Sequence, residues 1–179
     1  MDQPSEQHGD HVDRILAEWI RERPELDVRP MSVIGRVRRL GTFFLRRMED
    51  TWARYGLNVA GFDVLSTLLR VGPPYSLSPG ELLASTMVTS GTMTHRIDQL
   101  ERAGLVVRRA NREDGRSVLI ALTDRGRRLI EEALAAHVET QGRLVSSLTP
   151  EERRTLAALL KKMLTAIEKP KGGGREPDA

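Results

Sequence analysis

The chain has 179 residues, no cysteine, and 28 Lys plus Arg against 25 Asp plus Glu, a formal net charge of +3 with His neutral. The absence of cysteine excludes disulfides and thiolate metal sites, and every apolar run is far shorter than the ~20 residues of a membrane span. No apolar signal segment opens the sequence, so we expect a soluble, cytoplasmic protein with one folded core.

The N-terminal third of the chain is predicted to be helical. Apolar residues at helical spacing predict a short amphipathic helix over residues 10–23. A second apolar stripe runs from Ile34 to Tyr55, and Gly56 is suited to end that helix in the left-handed conformation. Asn58 is the predicted cap of a third helix, which extends to a Gly-Pro-Pro break.

The middle of the chain carries a helix-turn-helix pattern. Residues 78–81, Ser-Pro-Gly-Glu, combine a Ser cap, a proline at the first helical position and a Glu in capping-box register. Ser90 is the predicted cap of a second helix, which ends at Gly104. Two strands follow, over residues 105–109 and 118–122, and an Asp-Gly turn between them predicts a β-hairpin wing.

Two further helices are predicted after the wing, one from Thr123-Asp124 and one from the Thr-Pro-Glu-Glu cap at residues 149–152. The fold class is therefore mainly α with a small β-hairpin wing, and the surplus apolar surface at both ends of the chain indicates dimerisation. The predicted organisation is a disordered N-terminus at 1–9, N-terminal dimerisation helices at 10–57, a winged helix-turn-helix DNA-binding domain at 58–123, C-terminal dimerisation helices at 124–168 and a disordered tail at 169–179.

The placement of the arginines favours a nucleic-acid partner. The segment from residue 90 to residue 128 holds nine arginines against five acidic residues. The second helix of the helix-turn-helix carries hydroxyl, imidazole and guanidinium groups suited to phosphates and base edges. At the wing tip, arginines can reach the minor groove, and we predict an ion pair between Asp114 and Arg116. The side chains that this chemistry assigns to DNA are Thr92, Thr94, His95 and Arg96 on the helix and Arg112 and Arg116 at the wing tip.

Catalytic motifs are absent from the sequence. It contains no nucleophile elbow, no phosphate-binding loop, no dinucleotide fingerprint and no His-Glu-x-x-His zinc motif. We therefore expect a protein that is no enzyme, with no catalytic residue, no cofactor and no metal. Two other classes stay open at this point: an enzyme with an unrecognised site, and an architectural DNA-binding protein without an effector.

Four short motifs carry a family resemblance: residues 78–82 (SPGEL), 90–105, 114–117 (DGRS) and 122–126 (LTDRG). In these motifs, and over about residues 31–168, the chain resembles the MarR family of bacterial winged-helix regulators. The resemblance implies a homodimer whose N- and C-terminal helices form the interface. It also implies that two winged domains bind one palindromic operator in double-stranded DNA. The DNA contacts that it implies are Ser90, Thr92, Thr94, His95, Arg96, Arg112 and Arg116. We therefore expect a transcriptional repressor.

Four further residues make the chain similar to the urate-responsive, PecS-type subgroup of that family. They are Trp19 in the N-terminal helix, Asp63 before the helix-turn-helix, Arg96 in its second helix and Arg108 at the start of the wing. The resemblance implies that these four residues bind a small anionic effector, with urate or a related purine as the best candidate. Urate is a flat anion, which an indole can pack against and guanidinium groups can neutralise.

Asp63 is expected to pair with Arg96 until a bound anion repels the carboxylate and competes for the arginine. A tricarboxylate or a phenolic compound stays open as the effector, because an arginine-lined site recognises charge before identity.

Overall fold

A computed structural model describes residues 9–86, 93–111 and 117–168. The described elements are α1 (His11–Glu22), α2 (Arg29–Ala53), α3 (Val59–Arg70), β1 (Ser76–Leu77), α4 (Pro79–Ser85), α5 (Met93–Arg102), β2 (Val106–Ala110), β3 (Val118–Leu122), α6 (Asp124–Leu144) and α7 (Pro150–Glu168). This composition confirms the predicted fold class. The chain divides into two compact units, one up to Val138 and one from Glu139 onward.

Three helices of the first unit begin at side-chain caps. Asp10 accepts hydrogen bonds from the backbone N–H groups of Val12 and Asp13, and Asp13 accepts one from the Asp10 N–H, which closes a capping box at α1. The Asn58 side chain accepts from the Gly61 N–H at 2.8 Å and caps α3. The predicted cap at Asn58 is confirmed, whereas the sequence analysis named no cap for α1. Each cap satisfies N–H groups that the first helical turn leaves unpaired.

Ser78 and Glu81 form the corresponding capping box of α4. Glu81 accepts from the Ser78 N–H at 2.8 Å, and its own N–H donates to the Ser78 hydroxyl at 3.3 Å. These two hydrogen bonds place the start of α4 directly after β1 and fix the first helix of the predicted helix-turn-helix.

The sheet has three antiparallel strands in the order β1-β3-β2. In the hairpin, Val106 lies opposite Leu122 and Ala110 lies opposite Val118, which confirms the predicted wing strands with β2 shifted by one residue. The sequence did not predict β1, which pairs Ser76 with Ala121. Two residues are too few to show the alternation by which a strand is recognised.

The core of the first unit lies beneath α4 and α5. Its largest fully buried side chains come from five elements, and α3 alone contributes three of them. These side chains are Val64, Leu65, Leu68, Leu82, Val106, Ile120 and Ile130. Ile97 and Leu100 bring the apolar face of α5 into the same cluster. Burial of that face fixes which side of α5 remains at the surface.

The second unit contains the end of α6 and all of α7. The Thr149 N–H donates to Glu152 at 2.7 Å, and the Glu152 N–H donates to the Thr149 hydroxyl, as the predicted cap requires. No described side chain of α7 is buried. Five large apolar residues of α7 are instead exposed at the surface of the single chain: Leu156, Leu159, Leu160, Leu164 and Ile167.

Candidate functional site

The outer face of α5 is polar. Met93, Ile97 and Leu100 point into the core, whereas Thr94, His95 and Gln99 are exposed. The amphipathic helix therefore displays the predicted DNA-contacting side chains of Thr94 and His95 away from the core. Two other predicted contacts, Ser90 and Thr92, lie outside the described residues.

The wing is an antiparallel hairpin that Asn111 and Ser117 close at the end of the described strands. The Asn111 N–H donates to the Ser117 carbonyl oxygen at 2.9 Å. The predicted tip contacts Arg112 and Arg116, together with the predicted Asp114–Arg116 ion pair, fall in the segment outside the described residues. They stay predictions.

The start of α6 is bound tightly to the turn between α5 and β2. The Thr123 hydroxyl donates to the Gly104 carbonyl at 2.8 Å and accepts from the Gly126 N–H at 2.9 Å. A Cβ on Gly126 would lie 1.9 Å from the Leu105 carbonyl oxygen, so only glycine fits there. The Leu-Thr-Asp-Arg-Gly motif thus joins the base of the wing to α6.

Arg108 binds two carboxylates of α5. Its guanidinium donates to Asp98 at 2.5 Å and also to Glu101, and its backbone N–H donates to Glu101 at 3.1 Å. The hydrogen bond with Asp98 is the largest cause that raises the pKa of Arg108, and the charge of Glu101 adds to it. The sequence analysis missed Asp98 and Glu101. Their spacing of three residues, which puts both on one helix face, was the available signal.

Arg96 is half-buried, and its buried Nη1 has no hydrogen-bond partner within the part of the chain that the structure describes. The residue lines a cavity of about 130 Å³ together with Asn58, Gly61 and Gln99. A buried guanidinium N–H that lacks an acceptor is energetically costly, so the site favours an anion or another acceptor. The Asp63–Arg96 ion pair stays a prediction.

Asp63 lines a larger cavity of about 430 Å³, which also contacts Ser66, Arg70 and His137. On the core side of that cavity, the Trp52 indole N–H donates to His137 Nδ1 at 3.2 Å, and both rings stack. Burial lowers the pKa of His137, which favours the neutral ring that this hydrogen bond requires. The sequence analysis did not single out His137, which lines this cavity.

Trp19 lies on α1 and is 41% exposed. Ion pairs hold this helix to α2, because Arg36 contacts Asp10 at 2.9 Å and Asp13 at 2.6 Å. Val12 is buried in the same contact. The four predicted effector residues therefore lie on four different elements, α1, α3, α5 and β2, and their assembly into one pocket stays a prediction.

Within residues 9–86, 93–111 and 117–168, no group of three or more His, Asp or Glu side chains is arranged to hold a metal ion. Over the same ranges, no helix combines the length and the apolar character needed to cross a lipid bilayer.

A short helix, a second helix with a polar outer face, and an antiparallel hairpin define the class of winged-helix DNA-binding proteins. The MarR family model matches residues 55–117. The HTH-type transcriptional regulator PecS of Dickeya dadantii is 40% identical over 149 residues, which are 83% of this chain and 90% of that protein. The chain belongs to the MarR family and is a DNA-binding transcriptional regulator of PecS type.

Two solved structures add to this assignment. MarR of Escherichia coli, a cysteine variant complexed with operator DNA, superimposes with a TM-score of 0.65 at 27% identity over 76% of this chain and 95% of that one. The second is BpsR of Bordetella bronchiseptica, whose DNA binding is regulated by 6-hydroxynicotinic acid. It superimposes with a TM-score of 0.64 at 27% identity, over 73% of this chain and 91% of that one. These relatives are regulators, which confirms the prediction that the chain is no enzyme.

Proposed function

We propose that the protein is a cytoplasmic, homodimeric repressor, released from a palindromic operator by a small anionic effector, with urate or a related purine as the best candidate. The observation that carries the effector proposal is the buried Nη1 of Arg96, which has no hydrogen-bond partner among the described residues. An anion supplies the missing acceptor and the compensating charge. BpsR, whose regulator is a flat heteroaromatic acid, supports this chemical class.

Dimerisation is supported by the apolar surface that a single chain exposes. On α2, Val33 and Ile34 are at least half exposed, and Phe43 is 55% exposed. Leu164 and Ile167 on α7 are exposed to 56% and 76%. Surfaces of this kind are typical of an obligate interface, and a two-fold axis matches a palindromic operator.

The effector is proposed to contact Trp19, Asp63, Arg96 and Arg108. The indole offers a flat apolar face, and the two guanidinium groups offer charge-assisted donors. The Asp63 carboxylate is repelled by a bound anion. If the effector prefers the geometry that does not bind DNA, linkage weakens the DNA complex by a typical 1–3 kcal/mol, about 5- to 150-fold.

An anion titration of the DNA complex tests this function. Urate and xanthine are expected to dissociate the wild-type complex, with citrate and salicylate as probes of the other effector classes. Arg108→Ala should lose the response with less loss of DNA affinity than Arg96→Ala, because Arg96 also lies on the DNA-binding helix. Asp63→Asn should fold normally but respond weakly, since an amide is not repelled by an anion.

Arg143→Ala, which removes an exposed arginine of α6, is the control and should respond like wild type. If all variants match wild type, the pocket assignment is wrong. If citrate alone dissociates the complex, the purine identity is wrong. If none of the four anions acts, the effector proposal fails.

Operator binding is tested separately. Two recognition helices should occupy successive major grooves about 10 base pairs apart, with affinity that falls steeply as salt rises. Arg116→Ala should weaken binding to all sequences, whereas Thr94→Ala or His95→Ala should change base preference. Light scattering at micromolar concentration should give a dimer, and a monomer would contradict the palindromic operator as well.

A further inference from the structure

One guanidinium group of the wing, that of Arg108, pairs with carboxylates of α5, which is the proposed recognition helix. Asp98 and Glu101 are one helical turn apart on α5, and the Nη2 and Nη1 of Arg108 on β2 donate to them respectively. The Arg108 backbone N–H also donates to Glu101 at 3.1 Å. A single residue of the wing thus anchors the C-terminal half of α5 by binding two of its carboxylates.

The position of this contact makes it sensitive to competition. The Arg108 side chain is 33% exposed, and both carboxylate side chains are 36% exposed. Water and solutes therefore reach the cluster, although it is shielded more than a free surface pair. Arginine binds carboxylates and other planar anions through its paired N–H groups, so a solute anion needs the same donors that Asp98 and Glu101 occupy.

We propose that the anionic effector competes with Asp98 and Glu101 for the Arg108 guanidinium, and that this exchange detaches the C-terminal half of α5 from the wing. The inference rests on the proposed function and specifies how its site is regulated. Arg108 is then a positioning residue for α5 in the unliganded protein and an effector ligand in the bound protein.

This exchange explains how occupancy alters DNA binding without any effector contact to DNA. The recognition helix keeps its apolar anchors, Ile97 and Leu100. It loses the ion pairs by which Asp98 and Glu101, in the same half of α5, hold it to the wing. Since the effector and the two carboxylates exclude each other, each weakens the other by the same factor. Loss of the contact changes the relative orientation of the two parts that bind DNA.

The double variant Asp98→Asn, Glu101→Gln tests the exchange, because its amides keep the side-chain shapes and remove the charges. Urate affinity is measured by calorimetry on the free protein and on its operator complex. We expect the free double variant to bind urate about three- to tenfold more tightly than wild type, as two partly exposed ion pairs no longer compete. The ratio of the urate affinity of the free protein to that of the operator complex should fall at least about threefold, because urate binding no longer releases α5.

The double variant has two fewer negative charges on α5, which can raise its DNA affinity in general. This gain cancels in the ratio of the two urate affinities. Glu139→Gln is the matched control, since it neutralises the carboxylate of another arginine ion pair, that of Arg143 at 2.5 Å. It should leave both urate affinities at their wild-type values. Glu101→Gln alone should give an intermediate shift, and it provides the test if the double variant does not fold.

Unchanged urate affinity and an unchanged ratio in the folded variants, with a wild-type complex that urate still dissociates, would overturn the exchange and leave the proposed function intact. A wild-type complex that ignores urate, xanthine, citrate and salicylate would overturn the proposed effector, and the exchange with it.

Discussion

Replacement of Gly126 by alanine tests the joint between the wing and α6. A Cβ at this position would lie 1.9 Å from the Leu105 carbonyl oxygen and 2.8 Å from the carbonyl carbon. Real Cβ atoms do not approach other atoms within 3.0 Å, so the two backbones must separate by more than 1 Å. The same carbonyl oxygen accepts from the Thr123 N–H at 3.1 Å, and the separation strains that hydrogen bond.

Opposing contributions set the size of the effect. Alanine in a helix is favoured over glycine by up to about 1 kcal/mol. Overpacking typically costs about 1–3 kcal/mol, and a contact with backbone atoms belongs at the upper end of that range. The strained hydrogen bond adds about 1 kcal/mol. The Gly126→Ala variant should therefore lose about 2–3 kcal/mol in the free energy of unfolding.

Thermal unfolding at fixed protein concentration measures the loss, which corresponds to a fall of about 4–12 °C in Tm for a chain of this size. Gly142→Ala is the control in the same helix, because no described atom outside the adjoining residues and the surrounding helix backbone lies within 4 Å of its Cβ position. It should be as stable as wild type or slightly more stable. A Gly126→Ala protein with an unchanged or raised Tm would refute the argument from close approach.

Two further predictions concern the core and the helix-turn-helix. Burial lowers the pKa of His137 below its ordinary value of 6.5. Below that pH, the unfolded chain therefore binds more protons than the folded chain. The stability that His137 contributes above pH 6.5 is lost as the pH falls. The Tm of wild type should drop more than that of His137→Phe between about pH 7.5 and 5.5, and equal drops would contradict the role of His137. Ser78→Ala removes the cap of α4 and should lower the free energy of unfolding by about 1 kcal/mol, measured by urea titration with Ser146→Ala as control. An effect no larger than that of the control would show that the Ser78 cap does not stabilise the fold.

Local chemistry made the helices predictable. The predicted caps at Asn58 and Ser78 are decided within three residues of sequence, and the structure confirms both of them. Gly56 and Gly104 were predicted to end helices, and both have positive φ, at 66° and 68°. Such signals depend on steric and hydrogen-bonding requirements of a single turn, which the sequence displays directly.

The missed features depend on contacts between distant segments. His137 and Trp52 are hydrogen-bonded although they are 85 residues apart in the sequence, and no local pattern indicates that contact. Arg108 was predicted as an anion ligand, but its present partners, Asp98 and Glu101, become neighbours only when β2 returns beside α5. An arginine in a sequence shows that a cation is present, whereas its partners are decided by the fold.

The two tryptophans of the chain differ in environment, so fluorescence quenching can distinguish them. Trp52 is 5% exposed and stacks on Phe62 with ring centroids 4.9 Å apart, while Trp19 is 41% exposed on α1. A collisional quencher dissolved in water therefore reaches Trp19 far more readily than Trp52. Emission that remains at high quencher concentration reports on the core, and the quenched fraction reports on α1. A single unlabelled sample can thus separate effector contact at α1 from rearrangement of the interior.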